Sequence, residues 1–65
     1  MLYDIYDCYD GPSHYVATAI NQKQAENIMN DYFDETDGEA NLYAISWDGK
    51  VFVLGDYDTL EEVKQ

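Results

Sequence analysis

Leu42-Tyr43-Ala44-Ile45-Ser46-Trp47-Asp48-Gly49-Lys50-Val51-Phe52-Val53-Leu54 is the stretch from which the fold class is read. Two runs rich in β-branched and aromatic residues flank Asp48-Gly49, a dipeptide favoured in type I′ turns, so the stretch predicts an antiparallel hairpin. A two-residue loop sets Trp47 opposite Lys50, Ile45 opposite Phe52 and Tyr43 opposite Leu54. Tyr43, Ile45, Phe52 and Leu54 then form a bulky face suited to a helix. Leu42, Ala44, Ser46, Val51 and Val53 fall on the reverse face, which is more apolar than a solvated sheet surface needs to be.

Upstream lies a helix. Ala25, Ile28, Met29, Tyr32 and Phe33 recur at helical spacing and make one apolar stripe, with Asn21 as N-cap and a stop near Thr36. Gln22, Glu26, Asn30, Asp34 and Thr36 fall off that stripe. Before it, the triplets Leu2-Tyr3-Asp4, Ile5-Tyr6-Asp7 and Cys8-Tyr9-Asp10 read as a strand closed by Gly11-Pro12. Alternation places Tyr3, Ile5 and Tyr9 toward the core, with Asp7 near the edge. His14 to Ile20 reads as the strand that returns beside it. Downstream, Thr59 and Glu62 have capping-box spacing and predict a short C-terminal helix. The expected fold is α+β: a small four-stranded antiparallel sheet of two hairpins with one helix on a face, order ββαββ plus that short helix. Residues 1–65 are read as a single small acidic domain.

Charge narrows the function. Fourteen Asp and Glu stand against three Lys (Lys23, Lys50 and Lys64) and no Arg, a formal net charge of −11. Such a chain cannot clothe phosphates, so direct nucleic-acid binding is excluded and an anionic membrane surface is disfavoured. Disorder is disfavoured too, because seven Tyr, two Phe and one Trp accompany the acids. The lone Cys8 forms no intramolecular disulfide, and Met1-Leu2-Tyr3-Asp4 has no signal-peptide character; both point to a cytoplasmic protein.

Catalytic chemistry is thin. Cys8 and His14 could approach across the first turn, but 65 residues offer little room for an oxyanion site and substrate cleft. They read as a packed thiol and a solvated histidine, and the chain as no enzyme. An EF-hand register centred on Asp37-Gly38 puts Phe33 and Ala44 where carboxylates belong, leaving only a loose cation cluster at Asp31, Asp34, Glu35 and Asp37. Zinc-ligand spacing and phosphate-cradling glycine loops are missing, so no metal or cofactor is expected.

What remains is the distribution of acid. Carboxylates cluster at Asp4, Asp7 and Asp10, at Asp31, Asp34, Glu35, Asp37 and Glu39, and at Asp56, Asp58, Glu61 and Glu62 with Tyr57; the last two clusters are the expected contact surfaces. A like-charge pair about 7 Å apart costs on the order of 0.6 kcal/mol in water, so gathered acid is a standing stability cost. Alternate strand residues (about 6.6 Å) and i,i+4 helix residues (about 6 Å) approximate the spacing of phosphates along a strand. The two clusters therefore predict a nucleic-acid mimic that binds a basic nucleic-acid-processing protein. In size, acidity and absence of catalytic motifs the chain resembles the small inhibitors that phages encode against restriction, CRISPR or DNA-repair enzymes. That resemblance lies in composition and scale, and it implies residence in the host cytoplasm. The alternative is a protein-interaction or homodimer module using Leu42, Val51 and Val53 on the reverse hairpin face.

Overall fold

A computed structural model describes residues 1–64. It comprises β1 (Tyr3–Asp7), β2 (His14–Ala19), α1 (Gln22–Glu35), β3 (Leu42–Ser46), β4 (Val51–Leu54) and β5 (Leu60–Glu62). The strands form one antiparallel five-stranded sheet in the order β2-β1-β3-β4-β5, with α1 across one face. The fold is thus α+β as expected, with a fifth strand where a C-terminal helix was predicted. Leu60 and Val63 are too few apolar anchors to hold an isolated helical turn. The chain instead turns at 55–59 and returns along β4, pairing Leu54 with Leu60, Val53 with Glu61 and Phe52 with Glu62. Gly55 N–H donates to the Thr59 carbonyl at 2.8 Å and Asp58 N–H to the Gly55 carbonyl at 3.1 Å, closing the turn.

α1 follows its sequence closely. Asn21 is extended (φ −157°), and its Oδ1 accepts from Gln24 N–H at 2.8 Å. Gln24 Oε1 reaches back to accept from Ile20 N–H at 2.7 Å, a reciprocal cap displaced one residue from the usual box. At the other end Gly38 N–H donates to the Phe33 carbonyl and Asp37 N–H to the Asp34 carbonyl. That is a Schellman closure, with Asp37 in the left-handed region (φ 54°) where glycine is usual.

The second hairpin differs in register from its prediction. Ala44 faces Phe52 and Ile45 faces Val51, one residue away from the expected pairing. Gly49 N–H donates to the Ser46 carbonyl at 2.8 Å and Ser46 N–H to the Lys50 carbonyl at 2.9 Å. The loop is therefore three residues long, Trp47-Asp48-Gly49, with Gly49 at φ 90°. Because side chains alternate, a slip of one residue reverses one strand relative to the other. Leu42, Ala44 and Ser46 are buried with Phe52 and Leu54 packed beside them, while Tyr43 and Ile45 join Val51 and Val53 on the outer face. The reversal brings Ala44 opposite Ile5 in the β1–β3 ladder, so a small side chain lies where the helix approaches.

The β1–β2 hairpin is as expected, with a bulge: Ile5 pairs with Ala17 and Tyr6 with Tyr15, leaving Val16 as the extra residue. Tyr3, Ile5 and Asp7 point inward; Tyr9 lies beyond the strand and is exposed. The core is small, with Ile5 and Met29 its largest fully buried side chains.

The loop makes a prediction. A Cβ at Gly49 meets nothing within 4 Å, so Gly49→Ala tests backbone strain alone. It is expected to lower unfolding free energy by about 1–2 kcal/mol in urea titrations, and Gly49→Asn by clearly less. Equal tolerance of both would contradict the left-handed loop.

Candidate functional site

Two buried carboxylates organise the surface on the helix side of the sheet. Asp7, at 4% exposure, accepts from Tyr9 N–H and Asn41 N–H at 3.0 Å each through Oδ1. Its Oδ2 accepts from the Tyr32 hydroxyl at 3.1 Å, and His14 Nε2 lies 3.9 Å away. The N–H of Asn41 above all, then those of Tyr9 and the Tyr32 hydroxyl, hold the carboxyl below its ordinary pKa despite burial. Burial and the Asp7 carboxylate raise that of the Tyr32 phenol, which stays a donor. Glu26, also buried, accepts from Leu60 N–H at 2.9 Å and from Gln22 Nε2 at 3.1 Å, and these bonds, Leu60 first, lower its pKa.

Neither role was foreseen. Asp7 lies at the end of β1, as its place near the edge implies, but it is buried there. Glu26 was placed off the apolar stripe, yet β5 arrives against it. The signal was the polar row Gln22, Glu26, Asn30 at i,i+4 spacing beside the stripe.

Every predicted contact residue is exposed: Asp31, Asp34 and Glu35 on α1, Asp37 and Glu39 after it, Asp56, Tyr57 and Asp58 in the β4–β5 turn, Glu61 and Glu62 on β5. The β4–β5 turn is brought beside α1, while Glu61, paired with Val53, lies on the outer sheet face. Asn30 Nδ2 donates both to the Glu26 carbonyl (2.9 Å) and to the Asp58 carbonyl (3.2 Å), tying the β4–β5 turn to the helix. Between them runs a groove of about 330 Å³. Phe33, Ala40, Leu42, Val53 and Leu54 give it an apolar lining, and Asn30, Asn41, Gly55 and Asp58 the polar part. Phe33 is 46% exposed, and its ring lies over Gly38, where a Cβ would come within 3.4 Å. This groove was not predicted, because it depends on β5 turning back beside the helix.

The acids are uncompensated. Among the described residues the only contact of salt-bridge geometry is His14 beside Asp7, ionic only when the imidazole is protonated; no lysine lies within 4.0 Å of a carboxylate. The last turn of α1 carries no basic residue. Asp34, Glu35 and Asp37 instead crowd the end where the helix dipole is already negative, each costing about 0.3–1 kcal/mol. Both described non-glycine residues with positive φ are acids of these clusters, Asp37 (54°) and Asp58 (58°). No three His, Cys, Asp or Glu side chains among the described residues are placed to hold a metal ion.

The alternative interface is redrawn. Leu42 is buried at 9% exposure on the helix side of the sheet and is absent from the outer face, Val51 is half-buried, and Val53 is exposed. The outer sheet face is built from Val51, Val53 and Ile45, with Tyr6 stacked on Tyr43 (5.5 Å) and edge-on to Tyr15 (6.1 Å). Asp4 lies in the same face, accepting from Thr18 Oγ1 at 2.6 Å. Cys8 and His14 are engaged apart: Cys8 Sγ donates to the Asn41 carbonyl at 3.5 Å, and His14 faces Tyr32 and Asp7. No helix among the described residues is long and apolar enough to cross a membrane.

No protein-family model, curated protein or solved structure matches this chain. The functional reading therefore stands on the geometry.

A carboxylate whose pKa is lowered by folding stabilises the fold above its ordinary range and loses that contribution as pH falls through the lowered value. Asp7→Asn is expected to cost about 2 kcal/mol at neutral pH, where hydrogen bonds to a charged acceptor are lost. The gap between wild type and variant should narrow as pH falls below the ordinary carboxylate range and through the lowered value at which folded Asp7 takes up a proton. Urea midpoints measured across pH check this; a gap independent of pH would remove the charge from the argument.

Proposed function

We propose that this protein is a non-catalytic acidic inhibitor that mimics nucleic acid and occupies the basic groove of a DNA- or RNA-processing protein. The observation that carries the reading is the placement of unpaired carboxylates against the negative end of α1. Stability alone would favour Lys or Arg there. Asp37 and Asp58, one in each cluster, are held in left-handed backbone and add to that cost, and strain of this kind collects at functional positions. The contact surface is Asp31, Asp34, Glu35, Asp37 and Glu39 together with Asp56, Tyr57, Asp58, Glu61 and Glu62. Phage origin and action in the host cytoplasm, against an enzyme of restriction, CRISPR or repair type, fit this surface.

A second reading rests on the uncovered outer sheet face. There Tyr6, Tyr15, Tyr43, Ile45, Val51 and Val53 suit a protein partner or a second copy. It predicts loss of association with Val53→Glu and indifference to neutralised acids.

Affinity capture from a cell lysate, followed by competition with DNA or RNA, tests the mimic. Binding should be displaced by nucleic acid and weaken at least about tenfold from about 50 to 200 mM salt. The combined variant Asp31→Asn, Asp34→Asn, Asp37→Asn and Glu39→Gln should lose it. Asp37→Gly alone should weaken binding yet raise stability by about 1 kcal/mol, by relieving left-handed strain and dipole repulsion. Capture that survives high salt and the combined variant would refute the mimic.

A further inference from the structure

We propose that the groove between the C-terminal half of α1 and the β4–β5 turn is a pocket for an arginine side chain supplied by a partner. The proposal rests on the reading above in one respect, that the partner is basic.

The groove asks for an amphipathic occupant. Its lining offers Phe33, Ala40 and Leu54 to an aliphatic stem, and the exposed Phe33 ring offers a π-surface to a planar cation. Its polar part offers acceptors. Asn30 spends its amide donors on two backbone carbonyls, which leaves Oδ1, an acceptor only, for a ligand. Asp58 lines the same wall, and Asp34 stands one helical turn beyond Asn30 on α1. A guanidinium brings five donors in one plane and is weakly hydrated, so it suits an apolar slot with carboxylates at its lip. The lysine ammonium is compact and strongly hydrated, and forfeits more on entering. A purely apolar side chain would strip water from Asp58 without giving it a partner. A second copy of the chain cannot supply the occupant, since the sequence contains no arginine and repels itself at net −11.

The test titrates the full-length chain, followed by amide NMR, with three probes: N-acetyl-arginine amide, N-acetyl-lysine amide and N-acetyl-norleucine amide. The arginine probe should give saturable shifts centred on Phe33, Gly55 and Asp58. It should bind at least about threefold tighter than lysine, with norleucine weaker still. Phe33→Leu keeps an apolar side chain but removes the ring. Asp58→Asn tolerates the left-handed backbone and removes the charge, and the bond from Asn30 goes to the Asp58 carbonyl, which both forms share. Each variant should weaken the arginine probe about threefold or more, with an otherwise unchanged spectrum. Equal binding of arginine and lysine, a norleucine response of the same size, shifts spread evenly over all acidic segments, or no saturable shift would each overturn the pocket. The proposals fail separately. Arginine binding that persists while the combined acid variant still captures its partner sinks the mimic and spares the pocket. Capture competed by nucleic acid, with no arginine selectivity, does the reverse.

Discussion

Taking the Asp7 carboxylate out of water obliges the chain around it to supply donors, and distant segments converge to do so. The N–H groups of Tyr9 and Asn41 come from either side of the β1–β3 pair, and the Tyr32 hydroxyl comes down from the helix. Asn41 returns a second tie through its carbonyl, which accepts from Cys8 N–H at 3.0 Å. With a core whose largest fully buried side chains are Ile5 and Met29, apolar area alone holds the helix weakly. A buried acceptor with several donors adds directional contacts, and leaving those donors unmet would be costly. Glu26 repeats the device at the other end, where it meets the N–H of Leu60 as β5 begins.

These two clamps also build the surface proposed to act. Asp7 places Asn41 and the start of β3 at one end of the groove; Glu26 and Asn30 place the β4–β5 turn along its side. Acidic side chains thus do two kinds of work in one small chain. Where buried, they are fully hydrogen-bonded and hold elements together. Where exposed, none is within salt-bridge reach of a lysine, and those near the end of α1 oppose the helix dipole. The first kind stabilises, the second destabilises, and a surface of the second kind invites a functional explanation.

Much of the fold was legible, and the reasons are local. The α1 stripe, the Asn21 cap, both hairpins and the exposure of the acidic clusters follow from periodicity and turn chemistry within a few residues. The face of β3 was misassigned because Asp48-Gly49 serves two loop lengths: a two-residue loop or a three-residue loop with Gly49 alone left-handed. Bulk suggested that Tyr43 and Ile45 go inside. Pairing with β1 put Ala44 beside Ile5 instead, and small residues let the helix come close. The C-terminal segment misled for a related reason, since Thr59 and Glu62 have helix-cap spacing and nothing local reveals that β4 has an open edge to offer.

From the sequence alone came the α+β class, the antiparallel hairpins, the helix with both its ends, and a formal net charge of −11. Each rests on chain-neighbour geometry or on net charge, which need no knowledge of distant contacts. The tertiary structure decided which face of β3 is buried, that β5 exists, that Asp7 and Glu26 are internal clamps, and that the β4–β5 turn and α1 wall one groove. Those depend on residues such as Asp7 and Asn41, or Glu26 and Leu60, which lie 34 positions apart and meet only when the sheet assembles.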